Sequence, residues 1–411
     1  MGPAPAFVVD GDCNPMPTAA RFRLFYFLYY GSVGANLPYF AVYLRGLGFS
    51  GAEIGAAQMV APAIAGPAAL AWAIAADRHR APARALRAAT ACGFLAMAAL
   101  PLARSPFAIG AVLLANAAFA SAVVPLADAL TVTWVKTRPS LSYARIRLFG
   151  SLGFIVVAVG LGVVLDARGG RPADGVVPAA ILTCLGAYAL VARRLPAVSS
   201  HEARPELRET FGVLADLRLV ALLAACAVHW AASAPYHLMF GVFVRDLGLP
   251  ARITGAGMFA GVAAEVVVLL GYPLLERRLG LGWLFATSFA GSALRWLLLS
   301  DSRAALAVVS VQLLHGLTFG LFWGASVSAM ARAVPGRLRA TGQALFSAIV
   351  FSGGNALGYW LSGLGYDALG GVGPLYRIAA AVEGALFVAS VIGIAGSARL
   401  PRRGITPLAH N

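Results

Sequence analysis

Long apolar segments recur along the whole chain and leave little sequence between them. A helix needs about 20 predominantly apolar residues to cross the hydrocarbon core of a bilayer. Twelve such segments can be placed, and they predict an all-α membrane protein. Their approximate ranges are 22–44, 52–75, 86–103, 107–135, 142–166, 176–192, 219–244, 254–275, 282–300, 304–331, 340–365 and 374–397. Composition agrees, because only 12% of the 411 residues are charged, about half the share in a soluble protein.

One long polar interruption, Arg193 to Arg218, divides the predicted spans into two sets of six. We therefore expect an N-terminal tail at 1–20, a six-helix bundle at 21–194, a linker at 195–216, a second six-helix bundle at 217–398 and a C-terminal tail at 399–411. The two sets also repeat, since VYLRGLG at 42–48 resembles VFVRDLG at 242–248. Two pseudo-symmetric repeats are typical of transporters that bind their substrate at the midplane.

The basic residues indicate which side each loop faces. Of the 32 lysines and arginines, Arg295 lies inside a span and only eight fall on the less basic set of alternating loops. These eight are Arg45, Arg104, Arg168, Arg171, Arg245, Arg252, Arg303 and Arg377. By the positive-inside rule, both termini face the cytoplasm. We expect a multi-pass, monomeric protein of the bacterial inner membrane, surrounded by lipid.

The sequence lacks the patterns that are typical of several other classes of function. The net charge of +15 follows the loops and forms no basic face interleaved with aromatic residues, so nucleic acid is not an expected partner. The four cysteines are widely spaced, and no metal-ligand spacing and no phosphate-binding loop is present. We therefore expect no metal and no cofactor, with a proton gradient as the energy source. An intramembrane enzyme or a passive channel is a weaker alternative, because neither a catalytic set nor a polar ring is evident.

Charged residues inside predicted spans need a reason, because each costs about 2.5–3.5 kcal/mol at the bilayer centre. They are Asp128, Arg145, Arg147, Glu265, Arg295, His315 and Glu383. Asp128 with Arg147, and Glu265 with Arg295, are each either a substrate or coupling pair or a purely architectural one. Glu383 is expected to form an interfacial pair with Arg377, and His229 and His237 are expected to line or cap the seventh span.

Four motifs carry a resemblance to a known family. They are DRHR at 77–80, PLADA at 125–129, RIRLFGSLGF at 145–154 and QLLHGLTFG at 312–320. With the two sets of six spans, these motifs resemble the major facilitator superfamily, in particular the lactose-permease-like proton symporters and the phenylpropionate permease group. The resemblance covers nearly the whole chain and implies the major facilitator fold.

The resemblance also implies roles for single residues. Asp128 and Arg147 match an acid–arginine pair that binds sugar hydroxyls in the family, and Phe154 stands where a tryptophan stacks on the sugar ring. Glu265, Arg295 and His315 match residues that link substrate binding to proton movement. The chain departs from the pattern at Thr318, where the family has its main proton-carrying glutamate, and at Gln312, where it has a lysine. These departures argue against inferring from the resemblance that a galactoside is the substrate.

The expected function is alternating-access transport of a small organic solute, by proton-coupled symport. An aromatic acid, a sugar and a nucleoside all fit the residues, and proton-driven efflux of drug-like compounds is the alternative. Tyr39 and Asn36 complete the predicted substrate-binding set of Asp128, Arg147, Phe154, Arg295 and His315. Because Thr318 cannot carry a proton, Glu265 is the first expected proton carrier and Asp128 the second. The predicted cytoplasmic gate comprises Asp77, Arg78 and Arg80.

Overall fold

The protein is described by a computed structural model over residues 17–78, 81–136, 138, 140–170, 175–197, 216–334 and 339–399. Within these ranges all regular secondary structure is helical, and no strand occurs. This arrangement follows from the apolar sequence, because only a helix satisfies every backbone hydrogen bond of a segment within lipid. The predicted all-α fold class is therefore confirmed.

The described residues of the first half form seven α-helices. They are α1 (Thr18–Gly46), α2 (Gly51–Arg78), α3 (Pro82–Met97), α4 (Pro106–Ala120), α5 (Val123–Lys136), α6 (Tyr143–Ala167) and α7 (Val176–Ala192). A short 3₁₀ turn at Leu100–Leu102 extends α3. The predicted fourth span, 107–135, consists of α4 and α5, which meet at Ser121 and Ala122.

In the second half, the part of the chain that the structure describes contains eight α-helices. They are α8 (Leu217–Ala232), α9 (Ala234–Asp246), α10 (Ala251–Asp301), α11 (Ala305–Val311), α12 (Phe322–Ala333), α13 (Arg339–Phe346), α14 (Gly354–Leu369) and α15 (Val372–Arg399). Two π-helical segments, Gly316–Leu321 and Ser347–Gly353, and a 3₁₀ turn, Gln312–Leu314, lie between them. Sequence periodicity gave no indication of these π segments.

Nine helical stretches of the described chain are long and apolar enough to cross a membrane. One of them, α10, has 51 residues and a break in its middle, because Gly280 has φ 73° and ψ 162° there. Only glycine adopts such a conformation at little cost. The break falls in the gap predicted between the spans 254–275 and 282–300. The count of twelve spans stays a prediction.

The predicted domain bounds are only partly covered by the described residues. The linker prediction of 195–216 falls mainly on 198–215, which lies outside the described residues. Most of the tail predicted at 1–20, and nearly all of the tail predicted at 399–411, also lie outside them. The division into five regions stays a prediction.

The two halves of the chain meet tightly at the end of the molecule opposite the chain termini. Glycines permit this approach, since a Cβ atom at Gly363 would overlap the carbonyl oxygen of Gly51 and one at Gly241 would overlap that of Pro38. The contacts join α2 to α14 and α1 to α9. Small residues allow helices to pack this closely in lipid.

Two aspartates bind helix N-termini across the same junction. Asp367, near the end of α14, accepts hydrogen bonds of 2.8 and 2.7 Å from the backbone N–H groups of Gly51 and Ala52 at the start of α2. Asp166, at the end of α6, accepts bonds of 2.6 and 3.1 Å from the N–H groups of Ala251 and Arg252 at the start of α10. Carboxylates stabilise helix N-termini, whose first N–H groups lack intrahelical partners. These two pairs of hydrogen bonds occupy equivalent positions in the two halves, and together they hold this end of the molecule closed.

Candidate functional site

Asp128 on α5 is held by tyrosines of the first half. Its Oδ1 accepts a hydrogen bond of 2.6 Å from the hydroxyl of Tyr26 on α1, and that hydroxyl lies 3.1 Å from Thr131 Oγ1. Tyr143 at the start of α6 also hydrogen-bonds to the carboxylate. Asp128 is only partly buried, so its remaining lone pairs can bind a solute.

Arg147 on α6 lies against the same face of α1. It donates a hydrogen bond to the hydroxyl of Tyr30, and its guanidinium carbon lies 3.9 Å from the centroid of the Tyr30 ring and 5.5 Å from that of Tyr26. The four-residue spacing of Tyr26 and Tyr30 places both rings on one helix face. Asp128 and Arg147 form no direct ion pair. The expected pair is thus indirect, with tyrosines between the two charges.

Arg295, in the second part of α10, is fully buried. It donates hydrogen bonds of 2.6 Å to Gln312 Oε1 and 2.9 Å to His315 Nδ1. Its guanidinium carbon also lies 4.2 Å from the ring centroid of Tyr236 and 4.5 Å from that of Trp296. A buried guanidinium needs such partners to offset the loss of water.

Glu265 and His315 connect this buried arginine to open space. Glu265 Oε2 lies 4.0 Å from His315 Nε2, and the two side chains are 21% and 12% exposed. Because Arg295 donates to Nδ1, that nitrogen carries the lone pair, and the proton of the neutral ring is on Nε2, facing Glu265. The predicted Glu265–Arg295 pair is therefore indirect too, with His315 between the two.

Charged groups of the two halves also act on each other. Arg147 of α6 and Glu265 of the first part of α10 interact electrostatically, and both side chains are only partly buried. The structure thus brings Asp128, Arg147, Glu265 and His315 to one region between the halves. Opposite charges on two facing bundles can hold a polar solute and can respond to its arrival.

The remaining predicted binding residues lie in different surroundings. Tyr39 is 1% exposed, and its hydroxyl donates a hydrogen bond of 2.7 Å to the carbonyl of Ala158 on α6. It lies in the closed junction rather than beside Arg147. Phe154 is partly buried and follows Arg147 by two helical turns on the same face of α6. Asn36 is partly buried, and its Oδ1 has no hydrogen-bond partner among the described residues.

The predicted cytoplasmic gate falls at the edge of what the structure describes. Asp77 and Arg78 are the last residues of α2. Their side chains, and the whole of Arg80, lie outside the described residues. The gate stays a prediction.

The expected pairing of Glu383 with Arg377 is wrong. Arg377 binds Asp301 at 2.7 Å, whereas Glu383 is fully buried and its Oε1 lies 2.8 Å from Nδ1 of His229. Residues six apart on a helix do not share a face, because neighbours on one face are three, four or seven apart. That spacing could have ruled out the expected pair, but the true partner is 154 positions away in the chain.

Comparison with known proteins decides the family. Residues 19–377 match the model of the MFS_1-like family. The chain belongs to this family. It is a transporter of the major facilitator superfamily and an integral membrane protein, and not an enzyme.

Two curated relatives cover most of this transporter. The maltose permease of Geobacillus stearothermophilus is 32% identical over 345 residues, which span 82% of this chain and 84% of that protein. The "Probable 3-phenylpropionic acid transporter" of Escherichia coli (strain K12) is 28% identical over 361 residues, with coverage of 84% and 90%. The expected resemblance to this superfamily is confirmed.

A solved structure of the nucleoside transporter NupG has the same fold. Its TM-score to this transporter is 0.80 at 18% sequence identity, with coverage of 92% of this chain and 99% of that chain. A bacterial homologue of the lysosomal transporter Spinster, in an inward-facing conformation, gives a TM-score of 0.64 with 15% identity over 92% of this chain and 95% of that one.

Proposed function

We propose that this protein is a proton-coupled symporter of the bacterial inner membrane, and that it moves a small organic solute by alternating access. The observation that supports this most directly is the electrostatic interaction of Arg147 with Glu265 across the two halves. Ionisable residues inside a membrane are expensive and mark substrate or proton pathways. Here they come from both halves, as expected of a substrate site between two repeats.

The proposal includes twelve membrane spans with both termini in the cytoplasm. Dividing α10 at Gly280 turns nine long apolar stretches into ten. The 17-residue helix α7 and the 29-residue helix α1 add two more. The distribution of lysine and arginine supports the orientation. The junction closed by Asp166 and Asp367 then faces the periplasm, and the site opens toward the cytoplasm.

Coupling follows from competition for Arg147. In the empty site, the guanidinium favours the ionised form of Glu265. When a solute carboxylate or hydroxyl binds Arg147, this effect weakens, and the apolar surroundings then favour the neutral acid. Glu265 therefore takes up a proton as the solute binds, and both cross together. Asp128 binds the solute from the opposite side and is the second candidate for the proton.

Three solute classes fit the site. The arginines suit a carboxylate, and Tyr26, Tyr30 and Phe154 suit an aromatic ring or the apolar face of a sugar. The related proteins are named for maltose, 3-phenylpropionic acid and nucleosides. We propose a solute with a ring and hydrogen-bonding groups, from among the aromatic acids, sugars and nucleosides.

Uptake into proteoliposomes tests the function. A thermal-shift screen first selects ligands, since a ligand that binds the folded protein stabilises it. For each ligand, labelled solute is then supplied outside vesicles whose lumen is about one pH unit more alkaline. One proton per solute supports about tenfold accumulation under this gradient, and an uncoupler should abolish it. Equilibration without accumulation would indicate uniport, and gradient-driven expulsion would indicate the drug-efflux alternative.

A further inference from the structure

A buried acid–base pair lies away from the proposed solute site. His229 on α8 and Glu383 on α15 are both 0% exposed, and His229 Nδ1 lies 2.8 Å from Glu383 Oε1 and 2.9 Å from Oε2. Glu383 lies near the middle of α15. His229 lies in the last turn of α8, near the middle of the apolar stretch Leu217–Asp246 that α8 and α9 form together. Both are at a depth where a charge is costly.

The hydrogen-bond geometry locates one exchangeable proton. His229 Nε2 lies 3.3 Å from the carbonyl oxygen of Thr318. A carbonyl only accepts, so Nε2 carries a hydrogen in that bond. The remaining proton of the pair then lies between Nδ1 and the carboxylate, bound to one or the other. With this proton the pair is neutral overall, and without it the pair carries one negative charge.

Aromatic rings shield the pair from water. The ring centroids of Phe322 and Phe289 lie 4.2 and 5.4 Å from that of His229, and Trp296 lies beside Glu383. Glu383 and His229 therefore cannot exchange a proton with solvent in this conformation. Since an isolated buried carboxylate is strongly disfavoured, the closed conformation favours the proton-loaded pair.

The titratable and charged groups around the pair come from its own helices and from the elements packed on them. Cys226 lies one turn away on α8, and Tyr376 lies two turns away on α15. His237 of α9 interacts electrostatically with both His229 and His315. Arg295 of α10 interacts with His237 and Tyr376. Phe322 of α12 and the π segment Ser347–Gly353, which also pack nearby, add no titratable side chain.

These groups connect the pair to the solute site. His237 interacts electrostatically with His315 of the solute site and with His229 of the pair. The π segment Gly316–Leu321 makes a second connection, because it begins directly after His315 and contains Thr318. It packs closely on the helix of Glu265, where a Cβ atom at Gly316 would lie 2.7 Å from the carbonyl of Ala264. Single-turn π segments occur frequently at functional sites.

We propose that His229 and Glu383 form a second proton-binding site of this transporter. This site holds one proton occluded while the solute site is open to the side of the membrane on which the chain termini lie. The inference rests on the proposed function. Loading forms one N–H or O–H bond and brings the pair from one negative charge to neutrality. Release breaks that bond, returns the pair to one negative charge, and passes the proton toward the solute site. A movement of the π segment that withdraws the Thr318 carbonyl from His229 triggers the release.

The test compares Glu383→Gln with Glu276→Gln in proteoliposomes. Glu276 is the matched control, since it lies in the same half and forms an exposed ion pair of 2.7 Å with Arg332. Solute exchange without a pH gradient and accumulation under a gradient of about one pH unit are measured for both. E383Q should retain exchange within about threefold, and its accumulation should fall from about tenfold to equilibration. E276Q should behave as the wild type. Wild-type accumulation by E383Q would overturn the proposal.

A second variant covers the case in which E383Q does not fold. Glu383→Asp keeps the acid but lengthens its distance to the imidazole. It should accumulate solute with a pH profile displaced from that of the wild type. An unchanged profile in a folded E383D protein would overturn the proposal, because a purely structural pair would leave the profile in place. Failure of the wild type itself to accumulate any solute would instead refute the proposed function.

Discussion

At the scale of single residues, the charges of the site are held by neutral partners. Tyr26 and Tyr30 hold Asp128 and Arg147, and Gln312 with His315 holds Arg295. A hydrogen bond to a charged group contributes about 1.5–3 kcal/mol. Partners of this kind orient a charge without neutralising it. Each charge therefore keeps much of its capacity to bind a solute or a proton.

Tyr26→Phe tests this orientation. The variant loses the hydroxyl that bonds Asp128 but keeps the ring beside Arg147. Solute affinity should fall by about tenfold or more, as expected for the loss of a hydrogen bond to a charge. Isothermal titration of the purified protein measures the Kd. Tyr272→Phe is the control, because it removes a hydroxyl that bonds Ser328 at 3.0 Å instead. Equal affinities in Y26F and the wild type would count against a role of Asp128 in binding.

Glu265→Gln tests the proton carrier proposed for the solute site. Glutamine keeps the shape and polarity of the side chain but cannot bind a proton. The variant should exchange solute across the membrane at near wild-type rates and should not accumulate it under a pH gradient. Counterflow and gradient-driven uptake in the same vesicles measure the two activities. If E265Q still accumulated solute, the proton would be carried elsewhere.

Sequence alone predicted many residues of the candidate site but could not give their geometry. Asp128, Arg147, Glu265 and His315 stand out because a charged or titratable residue within an apolar span is expensive. Tyr26 gave no such signal, since an aromatic residue in an apolar helix is ordinary. Both acid–arginine pairs were predicted without a geometry, and in the structure a third side chain lies between the partners of each.

At the scale of helices, the closed end depends on two capped N-termini. Asp367 caps α2 and Asp166 caps α10, and Gly51 and Ala251 are related by the 200-residue repeat. Such an interaction contributes about 0.3–1 kcal/mol when exposed and up to about 2 kcal/mol when partly buried. The sequence repeat predicted matching halves, but not that each half would cap a helix of the other.

Asp367→Asn should open this end more often. The amide keeps one acceptor but loses the charge that favours the N-terminus of α2. Maleimide labelling of Val42→Cys in a background without native cysteines measures the opening, because Val42 is 9% exposed in the closed junction. We expect labelling to be several-fold faster. Asp301→Asn is the control, since its partner Arg377 lies in the same half. Equal labelling rates in D367N and its parent would contradict the capping role.

Gly363→Ala tests the same junction through packing. A Cβ atom there would overlap the backbone of Gly51 and lie 2.8 Å from the Cα of Gly55, so α2 and α14 must separate. We expect faster labelling at Val42→Cys together with slower transport, since the closed conformation becomes harder to reach. Gly160→Ala is the control, because nothing lies within 4 Å of its added Cβ. Unchanged transport by G363A would show that the close approach is not required.

At the scale of the whole molecule, hydropathy predicted most helix bounds within a few residues, and it did so for a physical reason. Lipid forces every apolar segment into a helix, so segment ends follow from composition. For example, the predicted span 176–192 coincides with α7 (Val176–Ala192). The closed end could not be predicted, since the alternating access proposed above requires both conformations to be compatible with one sequence.

Proton movement driven by the solute tests the central claim most directly. Proteoliposomes containing a pH-sensitive dye, with no initial pH gradient and with the membrane potential clamped, receive solute outside. A symporter carries protons inward with the solute, so the lumen should acidify in the wild type and should not in Glu265→Gln. Solute entry into wild-type vesicles at constant internal pH would contradict proton coupling.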